Sequence, residues 1–134
     1  MSAARLRRLI EFVARAEGHR IAAVDLAIVD STEMAGLSRR YLRLAGPTDV
    51  LSFDLSEAHL PGMVAQILAA GDLAARQGPR HGYEPRQELM LYVIHALLHL
   101  MGYDDTSVRG AARMHARQEE LLAEFLTAGR RTGR

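Results

Sequence analysis

His95 and His99 stand four residues apart in the segment His95-Ala96-Leu97-Leu98-His99-Leu100-Met101-Gly102-Tyr103-Asp104-Asp105. On a helix, that spacing places both imidazoles on one face, where they can present nitrogen to a single ion. Nearly every other position from Leu89 to Met101 is apolar, so the sequence predicts a helix buried most of the way round. Buried polar rings need partners, and one metal ion serves both. Gly102 predicts a left-handed helix stop that folds the chain back toward the histidine face. Asp105 is then the expected third ligand, on spacing alone, with Asp104 as its rival. Two histidines and a carboxylate with an open fourth position make a zinc geometry suited to catalysis.

The same spacing occurs in zinc proteases, and one residue argues against them. Those enzymes place Glu directly after the first histidine, as the base that activates water. Ala96 occupies that position. Peptide hydrolysis by that route lacks its base. Four further histidines, His19, His59, His81 and His115, have no partner at ligand spacing and read as surface or local residues.

The elements that must position these residues follow from periodicity and punctuation. Leu6, Leu9, Ile10 and Val13 share a face of an opening helix over 3–17 that ends near Gly18. Ile21–Val29 reads as a strand. Ser31 or Thr32 caps a second helix through about Leu44, with Glu33 in its first turn, and Gly46-Pro47 breaks it. Strands are expected over Asp49–Leu55 and Met63–Ala69, with a short helix over Asp72–Gln77. Glu84-Pro85 opens the histidine helix, which runs to Met101. A last helix spans Val108–Leu126, with Met114, Leu121, Leu122 and Phe125 buried, and Gly129–Arg134 reads as a frayed basic tail.

No repeat or low-complexity linker interrupts the chain, so residues 1–134 are read as one domain. All 17 basic residues are arginine, 16 residues are acidic, and the formal charge of +1 excludes a bulk polyelectrolyte. The chain has no cysteine, which rules out a disulfide scaffold and any thiolate-held zinc. Its start is charged and amphipathic rather than a smooth apolar leader. The apolar run 89–101 is too short and too polar to span a bilayer. A soluble cytoplasmic protein without membrane partners is the expectation.

Two motifs then carry a family resemblance. Residues 95–105 resemble the pattern His-Gly-x-Leu-His-Leu-x-Gly-Tyr-Asp-His of the YbeY family of metal-dependent bacterial endoribonucleases. Pro47-Thr48-Asp49-Val50-Leu51-Ser52-Phe53 matches that family's second motif intact, and Glu88 and Met114 fit its pattern too. The likeness runs from about Leu37 to Glu120. It differs at Asp105, where the family has a third histidine, at Ala96 in place of glycine, at Ala65-Gln66-Ile67 in place of Gly-Asp-Ile, and at Leu42 in place of arginine. Carboxylate remains a legitimate zinc ligand.

The resemblance implies an α/β (α+β) fold, a mixed sheet covered by helices. Its buried helix would carry the HxxxH metal site in a metzincin-like arrangement. It also implies one Zn2+ per chain, held by His95, His99 and Asp105, with a metal-bound water as nucleophile and the general base unassigned. The expected substrate is single-stranded RNA, in ribosomal RNA maturation at the small-subunit 3′ end and in ribosome quality control. The expected partners are ribosomal RNA and the ribosome or its proteins. Arg39, Arg40 and Arg43 precede the second motif and are the candidates for RNA phosphates, Arg43 also as a catalytic helper. Thr48 and Asp49 read as loop-fixing residues, Phe53 as core, and Glu88 as a possible orienter of a ligand histidine. The alternative is a non-catalytic ribosome-assembly factor with a structural metal. A zinc hydrolase of another substrate ranks below both.

Overall fold

The computed structural model describes residues 1–42 and 49–131. Helix α1 (Ala3–Glu17) opens with the Ser2 side chain accepting from Arg5 N–H and closes at Gly18 with φ 71°, a left-handed stop that glycine adopts without a Cβ clash. Strand β1 (Ile21–Val29) follows, then α2 (Ser31–Leu37). The cap of α2 is Asp30, not Ser31 or Thr32: its Oδ1 accepts from Glu33 N–H at 2.7 Å. Ser31 is diverted to Asp72, donating from its backbone N–H at 2.8 Å and from its hydroxyl at 2.7 Å. The helix expected through Leu44 is α-helical only to Leu37 and widens into a π turn over Ser38–Leu42.

Strands β2 (Val50–Asp54) and β3 (Met63–Ala70) lead into α3 (Gly71–Gln77), a 3-10 turn (Pro79–His81), α4 (Pro85–Leu100) and α5 (Val108–Arg131). The sheet order is β1-β3-β2, with β3 parallel to β1 and antiparallel to β2. As the central strand, β3 alternates fully buried and half-buried positions, whereas no residue of β1 is fully buried. The expected α+β fold, a mixed sheet covered by helices, is what forms.

Buried residues from α1, β3, α4 and α5, among them Leu9, Val13, Ile67, Ile94, Leu97, Met114 and Leu121, make one core. The apolar faces of α1 and α5 close over α4, which is why α4 is buried from Leu89 through Ile94 and again at Ala96–Leu98. Helix α5 continues through Gly129 to Arg131, which corrects the expected frayed tail over those residues. The helix outlasts its buried stripe because Leu121, Leu122 and Phe125 pin its later turns to the core. No helix among the described residues is long and apolar enough to cross a membrane.

Candidate metal centre

The site begins with how α4 starts and stops. Pro85 occupies its first turn, and the Gln87 side chain accepts from Glu84 N–H at 2.9 Å, so the helix entry is fixed. At the far end Tyr103 N–H donates to the Leu98 carbonyl and Gly102 N–H to the His99 carbonyl, at 3.0 and 3.2 Å. With Gly102 at φ 107°, this is a Schellman stop, and it turns the chain back on the last helical turn.

The reversal brings Asp105 to His95, with Oδ2 3.8 Å from Nε2. On its other side, His95 Nδ1 lies 3.1 Å from Gln118 Oε1 on α5. An amide oxygen only accepts, so Nδ1 carries the proton and Nε2 keeps a lone pair toward Asp105. Asp104 accepts from Thr106 N–H at 2.9 Å. Its carboxyl is held below the usual range first by that backbone bond, then by the Thr106 side chain, with a smaller contribution from His99.

The pair is not buried, which corrects the expectation drawn from the apolar run. His95 is 36% exposed in its side chain, and His99 is exposed. Leu97 and Leu98 stay buried while His95 and His99 stand on the opposite, outward face of the last two turns of α4. Among the described residues, no three His, Asp or Glu side chains are gathered closely enough to hold an ion as they stand. Their chemistry does fit zinc. Imidazole nitrogen and carboxylate oxygen are suitable donors, and helical residues at i and i+4 have Cβ atoms about 5–6 Å apart, which side-chain rotation closes onto one ion.

Other expected residues fall as follows. Arg39 and Arg40 lie exposed on the π turn; Arg43, Pro47 and Thr48 lie outside the described residues. Tyr103 donates to Glu17 Oε1 at 2.8 Å, linking the loop after α4 to α1. Phe53 packs half-buried against the cluster of Met34, Leu51 and Ala70. Glu88 is engaged elsewhere: its Oε2 lies 3.0 Å from His81 Nδ1, and seven residues set it about 10 Å along the helix axis from His95, on the same face. Sequence reasoning missed Gln118 and the His81–Glu88 contact. Gln118 was discoverable as a polar residue one turn beyond Met114 on the inward face of α5. His81 carried no such signal, since its partner is set by how the 3-10 turn docks on α4.

A cavity of about 420 Å³ opens beside His95, walled by Asp49, Val50, Tyr83, Glu88, Tyr92 and Gln118 among others. The Tyr83 hydroxyl donates to Glu119. That bond first, then burial and the charges of Glu119 and Glu88, pushes the phenol up to about 12. Burial, then the Glu88 and Asp49 carboxylates, pushes Tyr92 up as well. Both phenols therefore stay protonated near neutral pH, in a cavity with acidic walls.

Comparison with known proteins agrees with the motifs. The family model for endoribonuclease YbeY matches residues 2–126. A Moorella thermoacetica protein named endoribonuclease YbeY is 39% identical over 129 residues, covering 88% of this chain and 83% of the relative. Its namesake in Nocardioides is 35% identical over 131 residues, covering 90% and 87%. A solution structure of a Thermotoga maritima protein superposes with a TM-score of 0.65 at 25% identity, covering 95% of this chain and 83% of that one.

Proposed function

Because the chain belongs to the endoribonuclease YbeY family, we propose that it is a zinc-dependent endoribonuclease of single-stranded RNA. Its place would be small-subunit ribosomal RNA 3′-end maturation and ribosome quality control, with the ribosome or its proteins as partners. An endoribonuclease role rests on the named relatives; metal and substrate are this reading's own. The observation that carries it is His95, whose Nδ1 is held by Gln118 while Nε2 faces Asp105. A hydrogen bond that fixes one ring nitrogen and frees the other is what a histidine ligand needs.

His95, His99 and Asp105 are the residues that would hold zinc. Bound there, zinc supplies Lewis acidity for a phosphoryl oxygen and lowers the pKa of water to about 7. The chain's own contribution is positional. Gln118 fixes the tautomer and plane of His95, and the Schellman stop at Gly102 returns the aspartates to the histidine face. Arg39 and Arg40, exposed on the π turn, and Arg43 beyond it are proposed to grip RNA phosphates as paired donors.

The test combines metal analysis with cleavage of single-stranded RNA by wild type and Asp105→Ala. About one zinc per chain is expected, with at least a roughly tenfold loss of affinity or activity in the variant. Zinc retained unchanged in Asp105→Ala removes Asp105 from the site. Tight zinc without RNA cleavage favours the assembly-factor reading instead.

A further inference from the structure

The cavity beside His95 contains two other histidines, His81 and His115, and they are held very differently. His115 is 70% exposed and stands 3.8 Å from Glu119, a carboxylate that already accepts from Tyr83. His81 is 55% exposed, and its Nδ1 lies 3.0 Å from Glu88, whose side chain is only 5% exposed. A carboxylate accepts and does not donate, so Nδ1 carries the proton and Nε2 is left as a bare acceptor. The second Glu88 oxygen, Oε1, is buried as well, and the Tyr92 hydroxyl stands beside the same carboxylate. A buried carboxylate on Nδ1–H fixes the plane and tautomer of the His81 ring and leaves Nε2 facing outward as the acceptor.

We propose that His81 is the proton-transfer residue of RNA cleavage, with Glu88 as the residue that positions it. The proposal rests on the endoribonuclease reading and fills the role of base that Ala96 leaves open. In the assigned step, water attacks phosphorus and a new P–O bond forms as the bond from phosphorus to one ribose oxygen breaks. One water proton passes to His81 Nε2, which returns it to the leaving ribose oxygen. The other stays on the phosphate monoester, so atoms and charge balance. A buried carboxylate, an oriented histidine and a cavity shared with the metal-ligand candidate make the base–orienter arrangement that general-base catalysis requires. Other titratable groups facing this cavity are Asp49 ahead of β2, Tyr83 and Tyr92 on the α4 side, and His115 and Glu119 on α5. The two tyrosines remain protonated over the range in which histidine titrates.

The experiment measures kcat and KM against pH for zinc-loaded wild type, His81→Ala, Glu88→Gln and Glu88→Ala on a short single-stranded RNA. His81→Ala should lower kcat by about 10²-fold or more, leave KM within about twofold, abolish the acid limb of the profile and regain activity with added imidazole. Glu88→Gln, which keeps an oxygen for Nδ1–H, should retain more activity than Glu88→Ala. Nitrogen NMR of the metal-free protein supplies a readout independent of activity. His81 should hold its proton on Nδ1 in wild type and Glu88→Gln, and lose that preference in Glu88→Ala. Wild type that cleaves RNA while His81→Ala keeps its rate and pH limb overturns this assignment alone. Wild type loaded with zinc that cleaves no RNA overturns the endoribonuclease reading and this assignment with it.

Discussion

At the residue scale, one hydrogen bond decides whether His95 can serve as a ligand. Gln118 Oε1 lies 3.1 Å from Nδ1, and without it the ring is free to rotate and to protonate on the wrong nitrogen. Gln118→Ala should weaken zinc binding about 10–100-fold, read by competition with a chelator, while the fold persists. Tyr83 gives a second prediction at this scale. Its hydrogen bond to Glu119 lifts its folded-state value to about 12, above the unfolded value of about 10. The stability it contributes is therefore complete below about pH 10 and is lost as pH rises toward 12. Glu119→Gln should bring the phenolate absorbance step of Tyr83 down toward pH 10, and Tyr83→Phe should remove it.

At the scale of elements, the loop between α4 and α5 is placed by close approach rather than by loop sequence alone. A Cβ on Gly110 would lie 2.1 Å from the Asp104 carbonyl oxygen and 2.9 Å from Ser107 Oγ. Only glycine at the start of α5 lets the Asp104 backbone settle there. Gly110→Ala should destabilise the protein by about 1–3 kcal/mol in denaturant melts, because packed backbone must move. It should also weaken zinc binding, since Asp104 and Asp105 travel with that carbonyl. Gly36→Ala is the control: no atom of the described residues lies within 4 Å of its Cβ position, so a change between neutral and about 1 kcal/mol more stable is expected. The π turn over Ser38–Leu42 shows the limit of periodicity. The apolar spacing of residues 31–44 suits a helix, but a single inserted residue per turn leaves composition unchanged.

At the scale of the whole molecule, Glu17 ties three distant segments together. It accepts from Tyr103 in the loop after α4 at 2.8 Å and from Arg117 on α5 at 2.7 Å, while standing at the end of α1. Its side chain is 11% exposed, so removing it strips the Tyr103 hydroxyl and Arg117 Nε of their shared acceptor, while Arg117 keeps Glu120. Glu17→Ala should cost about 1–3 kcal/mol, seen as a lower denaturant midpoint with an unchanged slope. The sheet shows the same long-range dependence. Both β1 and β3 are apolar enough to read as strands, yet only β3 is buried on alternate positions, because the order β1-β3-β2 places it between the other two.

The sequence by itself determined the elements and the donor types. Local periodicity located α1, β1, β3 and α4, glycine stops marked where α1 and α4 end, the i, i+4 histidines with a following aspartate suggested the proposed metal chemistry, and that segment together with the motif at 47–53 pointed to the family. Those signals are short-range, carried by residues within a few turns of one another. Tertiary structure alone decided the partners. Gln118 reaches His95 across 23 positions, Glu17 reaches Arg117 across 100, and Asp72 takes Ser31 from the cap of α2 across 41. It also decided exposure, turning a helix that reads as buried most of the way round into one whose last two turns leave His95 part-exposed and His99 exposed. The physical reason is that a side chain's partner depends on how whole elements dock, and docking is fixed by the shared core rather than by neighbours in the chain.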